Sequence, residues 1–289
     1  MKINVYTLSS FAKSIEGGNP AGVVLNADDL SESDMKKIAK IIGFSETAFV
    51  MKSDIADFKV RFFTPTEEVD LCGHATIATF YTLLRQGCIS WGKYYQETKA
   101  GVLNVEVKED SSIMMGQNTP SFYEIISKKE IADSLNITTA EMLEELPVQI
   151  VSTGLKDILV PIKNMKILNS IKPDLKKVVE ISSKYNAVGY HMFTLESING
   201  SNAYCRNLAP LYGIQEESAT GTSNGALACY LFKYGKIKLN HIDYIVIEQG
   251  YSMKMPSEII VSLTVHEKEV VKVKVGGKAM NLSEIEVEI

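Results

Sequence analysis

The chain has 289 residues, 45% hydrophobic and 22% charged, with a formal net charge of −5. This describes a globular protein long enough for two compact domains, and its acidity argues against a nucleic-acid backbone as partner. The start, MKINVYTLSSF, lacks the apolar core of a signal peptide, no apolar run approaches the ~18 residues needed to cross a bilayer, and Cys72, Cys88, Cys205 and Cys229 form no CxxC pair. A protein of the reducing cytoplasm, without membrane or nucleic-acid partners, is expected.

In chain order, strand-like runs come first: KINVYTL, GVVL, TAFVMK, FKVRFF, GVLNVEV and SSIMM. Ser31 opens a helix with Met35, Ile38, Ile41 and Ile42 on one face, and Gly43 stops it. SKKE (127–130) and TTAE (138–141) have the form of capping boxes. Pro173 suits the first turn of a helix over PDLKKVVEISSKY. The later strand-like runs are VQIVS, DILVPI, GYHMFTL, NAYCRNL, DYIVIEQ, EIIVSLTVH and EVVKVKV.

Two segments differ from the rest. Residues 75–84 and 223–232 carry no charge, and a helix without a polar stripe is buried all round. A glycine precedes each (Gly73, Gly221) and another follows fourteen residues later (Gly87, Gly235), with Arg85 and Lys233 in the last turns. The segments align without a gap at an offset of 148, and RFFTP (61–65) upstream answers RNLAP (206–210). This reads as an internal duplication. The expected fold is α+β: two pseudo-symmetric domains, each a barrel-like sheet around a central buried helix. One domain covers 1–118 with a C-terminal strand at 278–289, and the other covers 119–277.

The first turn of a helix leaves unpaired N–H groups and about half a positive charge. If the halves pack face to face, CGHAT and TGTSN meet as an anion cradle, with Gly73 and Gly221 permitting close backbone approach. A small carboxylate suits it better than phosphate, since no lysine follows as in a phosphate-binding loop. Glu46, a carboxylate in the apolar stretch GFSETAFV, is the candidate acid/base, its pKa raised by burial; alternatively it is an exposed turn or cap residue. The dipole favours neutral His74 at the first helical position, unless it is a packing histidine. Glu217 is a second candidate carboxylate, or a structural acid at a helix start. Thr222 and Ser223 either bind substrate or cap the helix. Cys72 reads as a packed small residue, and the scattered histidines (His74, His191, His241, His266) suggest no metal.

GNPAGVVL (18–25), FSETAFV (44–50), RFFTPTEEVDLCGHAT (61–76), YGIQEESATGTSNGAL (212–227) and IEQG (247–250) resemble the PhzF-like, phenazine-biosynthesis-protein family. The resemblance implies a diaminopimelate-epimerase-like fold with the active site between two domains, a homodimer, and an isomerase without metal or organic cofactor. It implies Glu46 as general acid/base. His74, Glu217, Thr222, and the GNP-motif Asn19 would contact the substrate. The sequence departs from the family in carrying Glu217-Ser218 where Asp-Pro is usual. It also has one cysteine, Cys72, where related epimerases have one at each helix start. The alternatives are an amino-acid epimerase with unlike bases, such as Cys72 and Glu217, and a carboxylate-binding protein without turnover.

Overall fold

The computed structural model describes all 289 residues, which divide into two compact units: Met1–Gly116 with Gly276–Ile289, and Gln117–Val275. Unit 1 begins with β1 (Lys2–Ser10), β2 (Asn19–Val24), α1 (Glu32–Ile42), β3 (Thr47–Met51), β4 (Phe58–Phe63) and β5 (Glu68–Val69). It continues with α2 (Gly73–Arg85), β6 (Gly92–Thr98), β7 (Gly101–Val107) and β8 (Ile113–Gln117). Unit 2 comprises β9 (Ser121–Ile126), α3 (Lys128–Leu135), β10 (Val148–Ser152), β11 (Lys156–Pro161), α4 (Met165–Ser170), α5 (Leu175–Lys184), β12 (Gly189–Thr194) and β13 (Ala203–Ala209). It ends with β14 (Ile214–Glu217), α6 (Gly221–Lys233), β15 (Ile245–Gln249), β16 (Ser257–His266) and β17 (Glu269–Gly277). The chain then returns to unit 1 as β18 (Ala279–Glu288), antiparallel to β1.

The units share one pairing scheme. In unit 1, β1–β2 is antiparallel, β2–β3 parallel, β3–β4 and β4–β5 antiparallel, and β4–β6 parallel. In unit 2, β10–β11, β11–β12, β12–β13, β13–β14 and β13–β15 repeat those senses in the same order. This is the expected α+β architecture, with a sheet packed around one buried helix in each unit.

The two central helices have 13 residues each and end alike. Gly87 and Gly235 take φ of 70° and 69°, which glycine adopts without the penalty of a Cβ. The next residue's N–H then reaches back, Cys88 to the Leu83 carbonyl and Lys236 to the Leu231 carbonyl. Threonine is tolerated in buried α2 because Thr76, Thr79 and Thr82 each donate at 2.8 Å to the carbonyl four residues back.

Several local expectations are corrected. In α1, Ser31 caps and Gly43 is left-handed as expected, but the buried face is Met35, Ile38 and Ala39, and Ile41 is 56% exposed. Ser127 makes no side-chain cap bond to α3. The TTAE box forms but holds only a single 3₁₀ turn, Thr139–Glu141. Asp174, not Pro173, delimits α5: its side chain accepts from the N–H groups of Lys176 and Lys177, which leaves Pro173 outside the helix. All four cysteines are free, and no helix is long and apolar enough to cross a membrane.

Candidate active site

At the start of α2, Cys72 is the N-cap in extended conformation, and its side chain accepts no hydrogen bond from the first turn. The first-turn N–H groups therefore keep their partial positive charge without a capping side chain. Gly73 is the first helical residue and His74 the second, one place later than the sequence suggested. Three elements converge on the His74 ring. From the start of β2, Asn19 Nδ2 lies 3.3 Å from Nδ1. Just before β3, Ser45 Oγ lies 3.3 Å from Nε2 and Glu46 Oε2 lies 3.2 Å from Nε2. Cys72 Sγ lies 3.4 Å from Nδ1. From β1, Ser10 donates to the His74 carbonyl at 2.6 Å, fixing the backbone beneath the ring.

Glu46 Oε2 is shut off from solvent, yet its contact with His74 lacks the alignment of a hydrogen bond. A buried polar atom left this way costs about 1–3 kcal/mol, and more when charged. Burial pushes the Glu46 carboxyl up, but the His74 imidazole, with Ser45 and Cys72, pulls it further down, to a net value below the ordinary glutamate range. Burial likewise opposes the His74 imidazolium, yet Cys72 and Glu46 hold its pKa well above the usual value. Both directions reverse the sequence expectations of a raised glutamate and a neutral histidine. The helix dipole acts on His74 from one side, but a carboxylate 3.2 Å away acts more strongly. Burial also pushes the Cys72 thiol up. The lowered Glu46 and the raised His74 together favour a carboxylate–imidazolium pair. Glu46, Cys72 and His74 donor atoms lie within 4.8 Å of one another, close enough to hold a metal ion. The spacing of the histidines in the sequence did not suggest this grouping; a metal there would first have to displace the thiol and imidazolium protons.

The start of α6 is built differently. Thr220 is the N-cap, and its hydroxyl donates to Glu217 Oε2 at 2.6 Å rather than accepting from the helix. Gln249 Nε2 donates to the Glu217 carbonyl at 2.8 Å, and its Oε1 accepts from Asn224 Nδ2 at 2.7 Å. Asn224 Oδ1 in turn meets His191 Nε2 at 3.3 Å. Thr222 is half-buried. Ser223 neither caps the helix nor keeps its hydroxyl free: Oγ donates to Asp157 Oδ2 at 2.8 Å. Asp157 escaped the sequence reading, although an acid in the apolar run DILVPI is the same signal that marked Glu46.

Registers make the two units comparable residue by residue. Phe49 pairs with Arg61 across β3–β4, and Met192 with Arg206 across β12–β13. Counting from those pairs, Glu46 answers to Gly189, where a Cβ would run into the Leu208 carbonyl oxygen. Through the parallel registers Gly22–Thr47 and Ile158–Tyr190, Ala21 answers to Asp157. From the helix starts, His74 answers to Thr222 and Ala75 to Ser223.

Comparison with known proteins agrees with this architecture. Residues 8–284 match the phenazine biosynthesis-like protein family, PhzC-PhzF. An uncharacterized isomerase of Clostridium acetobutylicum is 37% identical over 290 residues, covering 96% of each chain. A trans-2,3-dihydro-3-hydroxyanthranilate isomerase of Pseudomonas chlororaphis is 27% identical, covering 94% of this chain and 95% of that one. The crystal structure of a PhzF-family phenazine biosynthesis protein of Bacillus anthracis superposes with a TM-score of 0.91 at 32% identity, covering 100% of both. A hydroxyproline epimerase of Agrobacterium vitis shares the fold alone, with a TM-score of 0.65 at 12% identity over 99% of this chain and 91% of that one. Fold and relatives together define an isomerase of the epimerase-like α+β class. Within that class the chain belongs to the phenazine biosynthesis-like (PhzC-PhzF) family.

Proposed function

We propose that this protein is a cofactor-independent isomerase that moves a proton from one carbon to another on a small, cyclic or amino-substituted carboxylic acid, with Glu46 as the acid/base. The observation that carries the reading is the buried Glu46 Oε2 set beside His74 without an aligned hydrogen bond. Held ionised, this oxygen is ready to take a proton from substrate carbon. Once Glu46 is neutral, the carboxylate that stabilised the His74 imidazolium is gone, and the carboxyl returns its proton elsewhere on the same molecule. The N–H groups opening α2, at Gly73 and His74, suit a substrate carboxylate, and Asn19 orients the imidazole. The same reading assigns the N–H groups of Gly221 and Thr222 to a substrate carboxylate as well, and His74 and Glu217 to the substrate's polar substituents. For Ser223, its hydroxyl being engaged, a supporting role replaces direct contact. The epimerase alternative with Cys72 as a base is disfavoured by the burial that keeps the thiol protonated.

The Pseudomonas relative's name supplies a first test compound. Incubating the wild-type protein with trans-2,3-dihydro-3-hydroxyanthranilate and related cyclic amino acids in D₂O should give substrate-dependent deuterium incorporation by NMR. A compound that raises the melting temperature yet never exchanges, across such a panel, would leave a binding protein in place of an enzyme.

A further inference from the structure

Asp157 is 2% exposed, and the described hydrogen bond to its carboxyl comes from Ser223, in the first turn of α6. The fold does not require this pair. In unit 1 the equivalent positions are Ala21 and Ala75, both fully buried, so the corresponding strand and helix, which also pack together, carry only methyl groups there. A carboxyl and a hydroxyl have thus been placed together under one helix start and not the other.

The surroundings hold no cation for that carboxyl. On β10 every side chain is uncharged. On β12, His191 is held neutral by burial, its pKa lowered to about 4, and burial also keeps the Tyr190 hydroxyl neutral. On α6, the Cys229 thiol is pushed up to about 12, and Lys233 lies in the last turn over the Phe122 ring. On β11 itself, Lys156 packs over Tyr123. The charged group that acts on Asp157 is Glu217, and it repels. Burial first, then Glu217, outweighs the Ser223 hydrogen bond and pushes Asp157 up to about 7.

We propose that Asp157 is a positioning residue of the α6 start: its carboxyl must be uncharged, and bonded to Ser223, for the Gly221 and Thr222 amides to receive a substrate carboxylate. Ionised, it sets a negative charge beside the positive end of the helix and competes with the incoming anion for the same dipole. Protonated, it orients the first turn and adds no charge. Thr153, in the β10–β11 turn, lies beside this start as well: its hydroxyl is 3.2 Å from the Thr222 carbonyl, although its shorter bond, 2.6 Å, goes to Gln117 Oε1. The inference rests on the reading of this start as a carboxylate site.

The test is titration of the full-length protein with anthranilate from pH 6 to 9, followed through the backbone amide resonances of Gly221 and Thr222. Uncharged 2-aminobenzamide serves as control. In the wild type, anthranilate affinity should fall by up to tenfold per pH unit above about 7, while 2-aminobenzamide shows no such fall. Asp157→Asn should bind anthranilate with that fall abolished. If Asp157→Asn fails to fold, the double variant D157A/S223A, which copies the unit 1 pair, should fold, bind anthranilate more weakly than the wild type at pH 6 because the Ser223 bond is gone, and show no fall toward pH 9. Amide shifts with an unchanged pH profile in both variants would overturn the proposal while leaving the carboxylate site standing. No shift of either amide in the wild type at pH 6 would overturn the site and the proposal together.

Discussion

At the start of α2 a carboxyl, a thiol and an imidazole crowd together; at the equivalent start of α6, amides, hydroxyls, a neutral imidazole and two carboxyls bonded to hydroxyls stand in their place. Helix length, the glycine at the first helical position and the left-handed glycine at the end are the same in both. Even the supporting ion pair is repeated: Arg61 grips Glu68 and Arg206 grips Glu216, each through two nitrogens. The proton chemistry does not repeat, because Gly189 stands where Glu46 would have its counterpart. One topology has thus been fitted with a titratable site in one unit and a mostly neutral polar lattice in the other. That asymmetry matches an enzyme that lifts and returns a proton with one carboxylate, rather than one that epimerises between two matched bases.

The comparison can be sharpened by breaking the repeated parts. Arg206 is buried and also donates to the Leu168 and Ile171 carbonyls, whereas Arg61 is partly exposed. R206A should cost about 3–5 kcal/mol in denaturant unfolding, because it removes the cation from Glu216, leaving it only the Ser252 hydroxyl, and unpairs two carbonyls. R61A should cost roughly 1–2 kcal/mol, between the values for exposed and buried pairs; equal losses would mean that the two pairs are energetically the same. G189A should cost about 3 kcal/mol, because backbone blocks its Cβ. A stable G189A would show that the Glu46 position in unit 2 is open to a side chain after all.

A subtler effect is the pH profile. Glu46, with its lowered pKa, contributes stability above the ordinary glutamate value of about 4.3 and loses it as pH falls through the lower folded value. His74, with its raised pKa, contributes fully below about 6.5 and loses that contribution only as pH rises through the higher folded value. The acid limb of kcat/KM should therefore fall below about pH 4.3. An acid limb between pH 6 and 7 would mean that Glu46 rests protonated.

Features set by near neighbours were legible in the sequence. Ser31 and Gly43 bracket α1, charge-free runs mark α2 and α6, and Glu46 is out of place among apolar residues. Features set across the chain were not. The pKa directions at Glu46 and His74 depend on residues 28 positions apart meeting at 3.2 Å. Asp157 meets Ser223 from 66 positions away. Ser127 and Pro173 carried the right residue types, but Ser127 makes no side-chain cap bond and Asp174 takes the cap of α5. The strand β6, GKYYQET, has no Val or Ile and gave no strand signal.

The most direct test of the account compares substrate-dependent deuterium uptake by the wild type and Glu46→Gln, using the compound that exchanges best. The account predicts that the variant folds, still binds that compound and exchanges at least about 10²–10⁴-fold more slowly, the contribution expected of a positioned acid/base. Exchange at the wild-type rate in Glu46→Gln would show that another group moves the proton.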